Sequence, residues 1–131
     1  MAPTLTHIWL LVGEMPRALT FYQATLGLEL ANDLGEYAEF KVSEDVYLAL
    51  FTRSAMLAGE PNIALSPASG QRAVLAFEVA SVDAEADRLR ARGVRLISEP
   101  ANHAEWGLRT LFLHDPDDNL VCLYAGIPEG S

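Results

Sequence analysis

Residues 106–124, WGLRTLFLHDPDDNLVCLY, carry an arginine, a cysteine and a tyrosine among spaced leucines. Asp115 and Pro116 suit the first two positions of a tight turn, because Asp bonds its own backbone and Pro fixes φ. A four-residue turn at 115–118 sets His114 against Asn119, Leu111 against Cys122 and Arg109 against Tyr124. Period-2 alternation then gathers Arg109, Leu111, Leu113, Leu120, Cys122 and Tyr124 on one face. Leucines bury cheaply and an arginine does not, so this face is expected to wall a ligand pocket. His7 and Trp9 share a second face, an imidazole beside an indole plate. Glu78 lies between Phe77 and Val79, where a buried carboxylate is costly unless paired. It is expected to pair with Arg109, to meet a ligand, or to sit at a wet strand end. Cys122 has no base near it in sequence and is expected as a small buried hydrophobe rather than a nucleophile. His103 and His114 imply no partner. There is no Ser-His-Asp order, glycine-rich phosphate loop or paired histidine on a helix.

These residues need elements to hold them. Residues 6–12 form a short apolar strand, and a helix follows over 15–26 with Pro16 in its first turn. Ala18, Leu19, Tyr22 and Leu26 make its apolar stripe, and Gly27 is its left-handed cap. Strands are expected at 28–34, 37–42 and 46–52; the last would place Tyr47 and Phe51 on one face. The pattern lapses at 57–71, a glycine-, proline- and serine-rich linker. The order then restarts: a strand at 73–79 and a helix over 82–92 capped by Ser81. Its acids lie early and its arginines late, as the helix dipole favours. Gly93 closes this helix, a strand follows at 94–98, and a loop leads into the hairpin. Leu26-Gly27-Leu28-Glu29-Leu30 matches Arg92-Gly93-Val94-Arg95-Leu96 at an offset of 66. The chain is thus an α+β duplication of two βαβββ modules, 4–56 and 72–126, within one domain spanning 1–131. One helix cannot cover both faces of a curled sheet, so two modules can enclose a cavity.

A chain of 131 residues, half of them hydrophobic, can bury a real core. It has no apolar run long enough to span a bilayer, which sets a membrane aside. One cysteine excludes an internal disulfide and suits a reducing cytoplasm. A net charge of −9 argues against nucleic acid, since no basic stripe could replace phosphate counterions.

The layout resembles the vicinal oxygen chelate superfamily of glyoxalases, bleomycin-resistance proteins and extradiol dioxygenases. The resemblance rests on the run from His7 through Phe21-Tyr22 into Leu26-Gly27-Leu28, on Phe77-Glu78-Val79, and on Trp106-Gly107-Leu108-Arg109 with Asp115-Pro116-Asp117-Asp118-Asn119. Asp118 stands where the family has glycine. Metal-dependent members hold a divalent cation with four side chains, and the resemblance carries those positions onto His7, Ala49, Val74 and Cys122. Alanine and valine donate no lone pair, and a catalytic site needs three protein ligands. No metal or other cofactor is therefore expected. The alternative is a rebuilt Zn, Ni, Mn or Fe site of His7, Glu78 and Cys122.

The expected function is metal-free binding of an amphipathic, cationic small molecule, similar to the bleomycin-resistance type. Trp9, Trp106, Tyr47 and Tyr124 would supply aromatic plates, Phe51, Arg109 and Cys122 further lining, and Glu78 the counter-charge. Trp106, in a loop, would close over the ligand. A metal-dependent lyase, isomerase or dioxygenase is the alternative, as is a metal-free enzyme using Glu78 or His7 as base. The resemblance also implies a homodimer.

Overall fold

The computed structural model describes residues 4–59, 61–62, 73–104 and 106–127. The chain divides into two units, Met1–Pro67 and Ala68–Ser131. The first runs β1 (His7–Val12), α1 (Met15–Leu19), a π-helical continuation (Thr20–Thr25), β2 (Leu30–Asp33), β3 (Tyr37–Lys41), β4 (Tyr47–Thr52) and α2 (Arg53–Gly59). The second runs β5 (Val74–Glu78), α3 (Val82–Ala91), β6 (Ala101–His103), β7 (Leu108–His114) and β8 (Leu120–Gly126). Their sheets repeat one topology, β1-β4-β3-β2 and β5-β8-β7-β6, with the first strand parallel to the last in each. The fold is thus the α+β, twice-repeated βαβββ arrangement expected.

In the first unit, alternation sends Val12, Ala38, Phe40, Leu48, Leu50 and Thr52 to one buried face. Phe21 and Tyr22 of the helical segment cover it, with the Tyr22 ring tilted against Phe40 at 6.3 Å. The helix widens into the π form, and Gly27 ends it at φ +84°. Its repeat mate Gly93 takes φ +80° after α3, so the matching glycines mark the same helix stop twice. Ser81 caps α3 by accepting from the Ala84 amide at 3.1 Å. Val82, Ala86 and Leu89 of that helix are buried, as are Leu111, Leu113, Val121 and Leu123 of β7 and β8.

Three expectations change. Residues 94–98 do not form a strand; Leu96 makes a single bridge to Leu113, and the edge strand β6 lies in the expected loop. The linker stretch begins inside α2, which the Thr52 hydroxyl starts by accepting from the Ala55 amide; 60 and 63–71 lie outside the described residues. The hairpin register is also one residue from that expected: Phe112 faces Cys122, Thr110 faces Tyr124 and His114 faces Leu120. Asp118 is the cause. It takes φ +64° and closes a three-residue loop in which its amide donates to the Asp115 carbonyl and the Asp115 amide to the Asn119 carbonyl. That extra residue turns Arg109, Leu111 and Leu113 onto the α3 side, away from Leu120, Cys122 and Tyr124.

Candidate functional site

On the first sheet, the face opposite the helix is built in three rows across β1, β4 and β3. The rows are His7, Tyr47 and Lys41; Trp9, Ala49 and Glu39; Leu11, Phe51 and Tyr37. Alternation forces this grouping, since each named residue is two from the next on its own strand. His7 stacks on Tyr47 at 5.1 Å with rings 14° apart, and Trp9 tilts against Phe51 at 5.5 Å. Tyr37 meets Phe51 edge to face at 5.3 Å. Trp9 is 54% exposed, so an indole plate stands open at this face.

Glu39 is the acid among these rings. The Tyr37 hydroxyl donates to Glu39 Oε1 at 2.8 Å, and His7 Nε2 lies 3.7 Å from the same oxygen. His7 Nδ1 is 2.9 Å from the Thr6 hydroxyl, which orients the ring. Burial pushes the Tyr37 phenol up from 10.0 to about 12, and the bond to Glu39 and its charge add to that, while the Trp9 hydrogen bond opposes it. A raised phenol favours the neutral folded form. Its stabilising contribution is complete below the ordinary value and lost as pH rises through about 12. Phenolate absorbance is therefore expected to show one of the four tyrosines titrating near pH 12. Tyr37→Phe should remove that component and Glu39→Gln should lower it. A Tyr37 titration near 10 would disprove the arrangement.

His7, Trp9, Tyr47 and Phe51 thus come together as expected. Glu39 and Tyr37 were not foreseen, although the strand at 37–42 was. The missed signal was Tyr37-x-Glu39-x-Lys41, a polar alternation opposite the buried Ala38 and Phe40.

In the second unit, Glu78, Cys122 and Tyr124 share the face opposite α3, with Glu78 directly beside Tyr124 in register. Glu78 is exposed at the end of β5, the wet-strand-end position among its expected alternatives. Its expected partner Arg109 lies on the other face, where it grips Asp83 through two nitrogens at 2.8 and 2.9 Å and donates to Asn102 at 3.1 Å. The Arg109 bonds hold the Asp83 carboxyl below the usual range, and that clamp ties the start of α3 to β6 and β7. Trp106 sits in the β6–β7 turn, stacked on His103 at 4.2 Å, which gives His103 a partner after all. Cys122 is buried as expected, and burial pushes its thiol up. An aromatic disulfide reagent is expected to label Cys122 slowly in the folded protein and rapidly in denaturant; equal rates would contradict the burial.

The donor set does not fit a divalent metal. Of the four positions carried over, Ala49 and Val74 have no donor, and Cys122 resists forming the thiolate that binds metal. Glu39 stands beside Ala49 in register and near His7, giving one histidine and one carboxylate in the first unit. Among the described residues, no three His, Cys, Asp or Glu side chains gather as a metal-holding group. No described helix is long and apolar enough to cross a membrane.

A family model described as the Glyoxalase/Bleomycin resistance protein/Dioxygenase superfamily matches residues 4–123. The uncharacterized protein YraH of Bacillus subtilis (strain 168) is 33% identical over 125 residues, covering 92% of this chain and 96% of YraH. A glyoxalase/bleomycin resistance protein/dioxygenase from Nocardioides superposes with a TM-score of 0.79 at 29% identity, over 100% of this chain and 87% of that one. Lactoylglutathione lyase from Agrobacterium tumefaciens shares the fold, with a TM-score of 0.71 at 22% identity, over 94% of this chain and 93% of that one. A match spanning both βαβββ repeats, joined to a common fold, means that the chain belongs to the glyoxalase/bleomycin resistance protein/dioxygenase superfamily.

Proposed function

We propose that this protein binds an amphipathic small molecule without a metal, as a resistance-type sequestering protein, on the face made by β1, β4 and β3. One observation carries the reading: at the carried-over position of the first unit Ala49 offers no donor, while Trp9, Tyr37, Tyr47 and Phe51 flank it on the same sheet face. Aromatic rings of this size supply most of the contact energy of a small-molecule site, and a few polar groups fix orientation. Here the polar groups are Glu39, Tyr37 and His7. Acidity across the chain leaves phosphate-rich partners disfavoured.

The test is calorimetric titration of a panel of flat amphipathic compounds, with and without a chelator. Saturable one-site binding indifferent to the chelator is expected. Trp9→Ala should weaken it by about tenfold, the worth of one aromatic contact near 1.4 kcal/mol. Stoichiometric Zn, Ni, Mn or Fe in protein purified without chelator, together with binding that needs it, would overturn the reading in favour of a metal-dependent lyase, isomerase or dioxygenase.

A further inference from the structure

We infer that the same face selects organic monocations, protonated or quaternary nitrogen compounds with a flat apolar body, and that Glu39 is the residue that makes the selection. The inference rests on the binding reading above and adds to it the charge of the ligand. Glu39 occupies the centre row with Ala49 and Trp9, so a methyl separates its carboxylate from an open indole plate. Its side chain is only 18% exposed, which strengthens its field over that of a solvated acid. Both of its contacts, from the Tyr37 hydroxyl and His7 Nε2, engage Oε1; Oε2 is the oxygen a bound cation would meet. The Tyr37 bond also fixes the carboxylate before any ligand arrives, which lowers the ordering cost of binding.

The surrounding rings favour the same charge. The face of an aromatic ring attracts cations, and tryptophan does so best. An anion would meet those faces and a carboxylate together. Position within the patch follows from the remaining charges. Lys41 lies at the His7–Tyr47 row and repels a cation from that end. The apolar body therefore extends the other way, over Phe51 and toward Leu11.

Three probes of similar shape separate charge from shape: N-methylquinolinium, quinoline at a pH where it is neutral, and 2-naphthoate. Calorimetric titration of the full chain is expected to rank them in that order, with the cation about tenfold tighter than quinoline. Glu39→Gln should weaken the cation about tenfold and so remove its advantage over quinoline, with an unaltered circular-dichroism spectrum showing the variant folded. Lys41→Gln, at an exposed site, should tighten the cation and loosen 2-naphthoate, and reads the inference without touching Glu39. Equal binding of cation and neutral probe, or tighter binding of the anion, overturns cation selection and leaves small-molecule binding standing. Failure of all three to bind overturns both.

Discussion

Phe40→Ala is expected to lower the stability of the first unit by about 3–5 kcal/mol, the range for deleting a fully buried aromatic ring. Phe40 has no accessible surface, and neither has Tyr22, which tilts against it. The two rings, with Leu50 beside them on the same buried face, join the helical segment to β3 and β4. Removing one ring leaves a void the size of a benzene, and a close-packed interior relaxes into it only partly. Against a total of about 5–15 kcal/mol for a domain, that is a third or more of the stability. The two tryptophans give a clean reading, since Trp9 belongs to the first unit and Trp106 to the second. In a Trp106→Phe background, urea denaturation followed by Trp9 emission should shift by the full amount. Phe40→Leu, which keeps most of the volume, should cost much less. A loss under 1 kcal/mol for Phe40→Ala would mean that the helical segment does not depend on this core. Phe40 points away from Glu39, its neighbour in sequence, so the folded variant should keep its ligand affinity.

The helices were legible because their signals are local. Gly27, Gly93, Pro16 and Ser81 act on the residues next to them, and all four take the roles their chemistry suggests. Faces of strands were legible where the register needs no turn: His7 with Trp9, and Tyr47 with Phe51, follow from alternation alone. Arg109 was misplaced because its face depends on how many residues close the hairpin. One left-handed residue, Asp118, changes that parity and every side chain of β7 with it. Glu39 was missed for a different reason. Its significance comes from Ala49 and His7, which are neighbours across strands and distant in sequence. Bonding between strands made a lost metal donor and a nearby carboxylate into one site; letters read along the chain keep them apart.

Asp115→Ala should cost about 1.5–3 kcal/mol, the worth of hydrogen bonds to a charged group. Asp115 is 3% exposed, and its carboxylate accepts from the Asp117 amide at 2.9 Å, the Asn119 amide at 2.8 Å and the Asn119 side chain at 2.9 Å. Alanine leaves those donors without an acceptor in a part-buried turn, and a stranded donor costs more than the bond was worth. Asp115→Asn keeps one carbonyl oxygen for the two amides and should lose only part of the stability. Urea denaturation followed by Trp106 emission reads the difference, and faster hydrogen exchange at the Asp117 and Asn119 amides would localise it. A change below 0.5 kcal/mol for the alanine variant would show that the turn holds without its carboxylate. The register itself should survive the substitution. A one-residue slip would turn Leu111 and Leu113, both fully buried, out to the opposite face. At about 1.5–3 kcal/mol for each buried leucine, that penalty matches or exceeds what Asp115 contributes. Core burial thus determines which way the hairpin faces, and Asp115 with the left-handed Asp118 supplies the loop that fits it.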